Sequence, residues 1–368
     1  MKKTIAAVAV LSAFAGSALA ADISLYGRID SGLAYQKADV FGEKTDKFGV
    51  ESGFVTGSRW GIKGTEDLGS FKVGFTLESG FTHDDGKSAQ GSRLFGREAV
   101  VTVEGDFGKV YMGRIGSIVS DSGSLSVLGD TSAFGNAYGW ASMKYTTAAS
   151  MTRYDNVIGY ASPKFGGLQV RAMYSGGGNT NENKADQDRY AAAGLSYASG
   201  PLTVHAVVDY TLYGNATTDF GSDLDDGINV VVGGNYKMDC ATVYGKVAYF
   251  DNVKLNGDLG TIMADKDTLN ALGEGGWAVK GYGLELGAKV PAFGGNILAS
   301  IGYRDAEEVD YSNYTAKLYT VNVGYAYSFS KRTSVYGAVG YIQEDAEIGQ
   351  LDDKAKGYQA AVGLIHKF

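Results

Sequence analysis

Ile23-Ser-Leu-Tyr-Gly-Arg-Ile-Asp-Ser-Gly-Leu33 places Ile23, Leu25, Ile29 and Leu33 on one phase and Ser24, Tyr26, Arg28 and Asp30 on the other. A two-residue period marks a strand whose two faces meet different surroundings. The same alternation recurs to the end of the chain. Phe71, Val73, Phe75 and Leu77 alternate with Lys72, Gly74, Thr76 and Glu78, and Leu202, Val204, Ala206, Val208 and Tyr210 with Thr203, His205 and Asp209. Tyr282, Leu284, Leu286, Ala288 and Val290 oppose Glu285 and Lys289, and Tyr319, Val321, Val323, Tyr325 and Tyr327 oppose Thr320, Asn322 and Gly324. Runs of this kind number about 16, give or take two.

The connections alternate short and long. Gly105-Asp-Phe-Gly108, Ala198-Ser-Gly-Pro201 and Pro291-Ala-Phe-Gly-Gly295 are short; Gln36 to Thr56, Ser175 to Asp188, Thr211 to Asp226, Asp251 to Glu274, Arg304 to Ala316 and Gln343 to Lys356 are long and polar. All three prolines fall in the short set, where a missing N–H leaves a strand ladder intact. Antiparallel up-and-down strands with tight turns at one end and long loops at the other describe a transmembrane barrel. A sandwich would bury one face, yet the polar phase carries Arg28, Asp30, Lys63, Lys72, Glu78, Arg171, Asp209, Glu285 and Lys289, too many charges for a dry interior. The apolar phase must therefore point outward. In lipid only a closed ring satisfies every backbone group, and a ring of about 16 strands leaves water inside.

Other features agree. Lys2 and Lys3, the apolar run Ile5 to Gly16 and the small residues Ala18-Leu19-Ala20 read as a secretory signal peptide over residues 1–20, leaving one barrel domain over 21–368. The whole chain carries a formal charge of −8, and loss of the two leader lysines makes it more acidic, which disfavours a nucleic-acid partner. Cys240 is the single cysteine, so no internal disulfide forms. No apolar run after the leader is long enough for a membrane helix. Tyr160, Tyr174, Tyr197, Tyr210, Tyr236, Tyr303, Tyr325 and Tyr341 share the outward phase near strand ends, as an aromatic girdle at the lipid boundary would.

One connection differs from the rest. Ile115 to Thr152 carries only Asp121, Asp130 and Lys144 as charges, amid Val127, Leu128, Phe134, Tyr138, Trp140, Met143 and Tyr145. That apolar surface argues for cover, so the segment is expected to lie inside the barrel. No catalytic set accompanies it. His83, His205 and His366 are scattered, and no nucleophile-elbow, phosphate-loop or zincin motif is present. His205 beside Asp209 reads as a polar lining residue rather than a general base. Asp84-Asp85, Asp225-Asp226 and Asp352-Asp353 read as solvated loop charge rather than cation sites. No cofactor or metal is expected.

With these pieces placed, the chain resembles the general diffusion porins of Gram-negative outer membranes over essentially its whole mature length. The match is carried by Leu25-Tyr-Gly-Arg28, Ser58-Arg-Trp-Gly-Ile-Lys-Gly-Thr-Glu-Asp-Leu-Gly69, Leu77-Glu-Ser-Gly-Phe81, Arg93-Leu-Phe-Gly-Arg97, Asp155-Asn-Val-Ile-Gly-Tyr-Ala-Ser-Pro-Lys-Phe-Gly-Gly167 and the terminal Val362-Gly-Leu-Ile-His-Lys-Phe368. The resemblance implies homotrimers of 16-stranded barrels in the outer membrane, meeting lipid and lipopolysaccharide. It makes 115–152 the third external loop, folded inward to narrow the pore. It also makes Phe368 the mark read by the barrel-assembly machinery. The Pro-Glu-Phe-Gly-Gly loop motif of some members is absent, since Pro163-Lys-Phe-Gly-Gly167 belongs to a turn.

By the same resemblance Arg28, Arg59, Arg97 and Arg153 form a basic wall at the constriction and Asp121 and Asp130 its facing acids, with Lys63, Lys72, Glu78 and Asp30 also lumenal. Arg97 shares the parity of Ala99, Val101 and Val103, which face lipid, so a bulge near Gly96 or Glu98 is needed to bring it inside. The implied function is passive diffusion of small hydrophilic solutes, weakly favouring anions because the narrowest point dominates. A solute-specific channel of the same architecture, a barrel enzyme and an adhesive surface protein are the alternatives.

Overall fold

The computed structural model describes residues 22–40, 42–147, 152–177, 188–214, 225–255, 277–310, 312–348 and 351–368. The leader expected over 1–20 lies outside the described residues, as do the middle parts of three long connections. The strands are β1 (Ser24–Val40), β2 (Glu43–Ser52), β3 (Arg59–Asp67), β4 (Phe71–Gly80), β5 (Glu98–Gly105), β6 (Gly108–Gly116), β7 (Arg153–Ala161), β8 (Leu168–Ser175) and β9 (Arg189–Ser199). They continue as β10 (Leu202–Leu212), β11 (Gly227–Lys237), β12 (Thr242–Leu255), β13 (Trp277–Ala292), β14 (Gly295–Glu308), β15 (Tyr314–Ser328), β16 (Thr333–Ile348) and β17 (Leu351–Lys367).

Each strand pairs antiparallel with its neighbour in sequence, except that β2 and β3 both pair with β1 and not with each other, and β1 pairs with β17 to close the ring. The seventeen segments make sixteen staves, because β2 and β3 both lie along β1. β2 pairs with Ser31–Val40 at one end of β1, β3 with Ser24–Arg28 at the other. Between them residues 53–58 leave the wall. We term this short excursion the inlet.

The faces divide as the alternation requires. Leu286 is 62 % exposed on the outside while its neighbour Glu285 is 5 % exposed on the inside. Leu25, Ile158, Val321 and Val362 share the outer face with Leu286. Tyrosines gather on it toward the loop ends of the strands: Tyr303 lies 5.2 Å from Tyr319 and 6.0 Å from Tyr282, and Tyr341 lies 4.9 Å from Tyr358, centroid to centroid. At the other rim the Tyr160 hydroxyl donates to Phe107 O (2.6 Å) and the Tyr325 hydroxyl to Phe293 O (2.9 Å). Such a band of amphipathic rings at each edge of an apolar belt suits a barrel standing in a bilayer.

Three connections differ from expectation. Arg304 to Ala316 is largely strand, β14 running to Glu308 and β15 starting at Tyr314, and two others are more so. Gln36 to Thr56 is mostly strand, with β1 and β2 joined at Gly42 (φ +87°). Gln343 to Lys356 is likewise almost all strand, Ile348 pairing with Leu351. Both hairpins are polar on both faces, so nothing in their hydropathy separates them from loops.

Candidate pore constriction

The segment read as Ile115–Thr152 begins inside β6, which runs to Gly116, and ends where β7 starts. Its described part crosses the lumen through three short 3-10 turns at Leu128–Thr131, Gly139–Ala141 and Met143–Thr146. Ile118, Val119, Leu125, Leu128 and Met143 are fully buried against the interior side chains Val100, Tyr111, Val157, Met173, Val207 and Val231. Farther on, Phe134, Tyr138 and Ala141 pack on Leu298, Tyr336, Ala338 and Ala361. The inner face is thus not uniformly wet: part of it is a dry core roofed by the loop, and those apolar lumenal positions escaped a rule that assigned apolar residues to lipid.

Charged wall residues fasten the loop. Lys246 Nζ donates to Met143 O (2.9 Å) and Thr147 Oγ1 (2.8 Å) and pairs with Glu285 Oε2 at 2.8 Å. Glu285 also accepts from the hydroxyls of Ser132 and Thr146. Arg304 pairs with Glu344 at 2.6 Å and donates to Tyr145 O, while Gln359 Nε2 donates to Tyr138 O (2.9 Å) and its Oε1 accepts from Trp140 N (2.9 Å). Glu285, expected to line water, is an anchor instead. At Gly283 any Cβ would overlap the Thr146 carbonyl, so the loop sits where the wall has no side chain. Burial in this dock pushes the Tyr138 phenol up to about 12.

On the other side of the ring the arginines assemble. Arg97 Nε pairs with Glu78 Oε1 at 2.7 Å and Arg59 Nη1 with the same oxygen at 3.5 Å, while the Tyr26 hydroxyl donates to Oε2 at 3.1 Å. Arg59 Nη2 donates to Thr56 Oγ1 at 2.7 Å and Arg28 Nη1 to that same oxygen at 3.4 Å. Arg153 feels the positive charges of Arg97 and Arg114, and its Nη2 reaches Ser122 O at 3.5 Å. Arg97 is inside. Its N–H donates to Glu78 O (3.2 Å) while Glu98 faces the same Glu78 across the β4–β5 ladder, so two residues oppose one at the start of β5, as at a bulge, and Arg97 escapes the parity of the strand.

Not every expected residue joins this group. Asp30 is buried and holds the inlet backbone instead of facing water. Lys63 is exposed, with Nζ 5.4 Å from the Tyr26 ring centroid, but Lys72 pairs with Asp67 (3.6 Å) beside the short turn that joins β3 to β4. Of the loop acids, Asp121 accepts from Asn136 N (2.7 Å) and braces the loop on itself. Asp130 rides against the far wall, its Oδ2 3.7 Å from His205 Nε2, and the imidazole holds its carboxyl below the usual range. His205 also shares a 2.8 Å bond with Ser196, while Asp209, the partner expected for it, is bonded by Asn229 Nδ2. Phe368 pairs with Gly27 through its N–H and its carbonyl (each 3.1 Å), extending the β1–β17 seam by one residue.

Sequence reading missed several members. Asp155 binds both Arg93 and Arg114 at 2.7 Å, and Glu98 accepts from Ser124 N–H and hydroxyl. The signal for Arg93 and Asp155 lay in the quoted motifs that contain them. Thr56 offered none, being one polar residue in a polar stretch.

Six arginines and few carboxylates therefore edge a water-filled passage that an inward loop narrows, inside a ring of strands closed by the β1–β17 pairing. Comparison with known proteins agrees. A family model described as Gram-negative porin matches residues 7–347. An outer membrane porin protein of Bordetella pertussis is 30% identical over 400 residues, covering 100% of both chains, and outer membrane porin protein 32 of Delftia acidovorans is 29% identical over 387, again covering 100% of both. The solved anion-selective porin from Comamonas acidovorans superposes with a TM-score of 0.68 at 23% identity, covering 95% of this chain and 100% of that one. An OmpT of Vibrio cholerae in a trimer form gives 0.62 at 17%, over 95% and 100%. This chain belongs to the Gram-negative porin family and is a channel of the outer membrane.

Proposed function

We propose that the channel passes small hydrophilic solutes without chemistry and weakly prefers anions, with Arg28, Arg59, Arg97 and Arg153 as its basic constriction wall and Asp121 and Asp130 as the acids of the loop. The carrying observation is a cluster of guanidinium groups that outnumbers its carboxylates: Arg59 and Arg97 pair with Glu78, Arg28 shares the Thr56 hydroxyl with Arg59, and Arg153 stands near Arg97 with Glu78 and Glu98 at hand. A narrow wet gap with an excess of fixed positive charge enriches anions and slows cations. Arginine keeps its charge however many neighbours share it. The fold likeness to the anion-selective porin from Comamonas acidovorans supports the same sign. Asp130, across the ring from the arginines, gives the gap a transverse field. Three copies associate through their outer walls, in contact with lipid and lipopolysaccharide, and Phe368 serves recognition by the assembly machinery.

Planar-bilayer reversal potentials in a salt gradient test this. Arg28→Ala with Arg59→Ala is expected to lower the anion-to-cation permeability ratio at least about twofold. A cation-preferring wild type whose ratio the double change leaves alone would remove the arginine wall from the account.

A further inference from the structure

Asp30 has no exposed surface, and its carboxylate is spent on the inlet and on the ring that docks the loop. Oδ2 accepts from the backbone N–H of Val55 (2.8 Å) and Thr56 (2.7 Å), and Oδ1 accepts from the Tyr336 hydroxyl (2.8 Å). Its main chain holds the inlet's two ends, accepting from Gly53 N (3.0 Å) and donating to Ser58 Oγ (3.1 Å). Tyr336 reaches it from β16 across β17. A Cβ at Gly32 would stand 2.9 Å from the phenol oxygen, so the ring lies along the wall only because that position is bare.

The same ring is the floor on which inlet and loop meet. Phe54 stacks on Tyr336 (6.1 Å, 9°), Tyr138 of the loop meets it edge-on (5.8 Å, 80°), and Tyr138 N–H donates to Phe54 O (2.9 Å). Thr56, one residue beyond Val55, carries the oxygen on which Arg59 and Arg28 converge.

We propose that Asp30 is a positioning residue for permeation: its carboxylate sets how far the inlet projects, and through the inlet fixes the loop tip and the direction of Arg28 and Arg59. The selectivity arm rests on the arginine reading above; the geometric arm does not. A carboxylate is required because three donors converge on it. An amide offers one acceptor oxygen and turns N–H groups toward donors, leaving buried groups unpaired. An inlet released from Asp30 frees Tyr138 and the two guanidinium groups together.

The full chain in planar bilayers tests the proposal, with heat-modifiable migration reporting barrel closure. Asp30→Asn is expected to change single-channel conductance by about 1.5-fold or more and to raise open-channel noise, since the narrowest radius dominates. Tyr336→Phe keeps the stacked ring, loses one bond to Asp30, and is expected to shift both readings less in the same direction. Thr56→Val is expected to lower the anion-to-cation ratio about twofold with conductance nearly kept. Closed barrels of both Asp30→Asn and Tyr336→Phe with wild-type conductance and noise would overturn the proposal. If Asp30→Asn does not fold, Tyr336→Phe alone decides it by the same readings. Altered conductance in these two with an unmoved ratio in Thr56→Val upholds the latch and counts against the arginine reading instead.

Discussion

Asp130 shows how one loop carboxylate can report on its wall. Because the His205 imidazole holds its pKa down, the folded chain binds that proton more weakly than the unfolded chain does. The stability this contributes is complete above the ordinary carboxylate value of about 4 and is lost as pH falls through the depressed folded value. The Asp130 side chain is 70% exposed, and solvent screening holds the contribution below about 1 kcal/mol. Thermal melting of detergent-solubilised protein on acidification from about pH 6 to about pH 3 is expected to show a smaller loss for His205→Gln than for wild type. Equal losses would mean the contact does not hold in solution. At this scale the sequence was legible wherever a residue sat inside a pleat: Arg28, Arg59 and Glu78 face the lumen as their parity requires. Parity misled at Arg97, because alternation has meaning only while one residue opposes one, and Arg97 shares Glu78 with Glu98.

The loop is held by a different physics from the strands. Its backbone lacks a ladder, so position comes from buried apolar contacts and from polar wall residues reaching its carbonyls. Lys246 is the clearest case, with its side chain fully buried and engaged by Glu285, Met143 O and Thr147. Lys246→Met leaves Glu285 as an uncompensated buried charge, and breaking such a pair costs about 3–5 kcal/mol. Chemical denaturation in detergent is expected to show that loss and single-channel records a noisier pore, whereas Lys246→Met with Glu285→Gln recovers part of the stability. A single mutant as stable as wild type would show that the loop does not depend on this anchor. Composition revealed that the described part of this connection, through Thr147, belonged inside, since its aromatic and aliphatic residues needed cover. What it packs against was hidden, because Val100, Val207 and Val231 look like any other strand valines. The inlet was hidden for the opposite reason: the sequence before it is polar, and β2 is exposed on both faces over most of its length.

Across the whole molecule one sorting rule organises the chain. Within the belt between the tyrosine bands the outward phase is apolar, and the inward phase divides into a dry part under the loop and a wet part edged by arginines. The rule has an energetic consequence that distinguishes this barrel from a soluble one. Leu286 lies two alternations from Tyr282 on β13, inside the apolar belt rather than at its rim, and is 62% exposed in the isolated chain. Leu286→Arg puts a guanidinium in hydrocarbon, at a cost of about 2–4 kcal/mol near the bilayer midplane. Lys63→Glu, on the wet side beside Tyr26, reverses a charge with water at hand and is expected to shift reversal potential while changing stability by less than about 0.5 kcal/mol. Urea titration of protein folded in lipid vesicles measures both. In water Leu286→Arg would be an ordinary surface change, so a large cost in vesicles comes from lipid or another copy of the chain against that face. Equal, small effects at both positions would mean that the apolar phase meets neither lipid nor another copy of the chain.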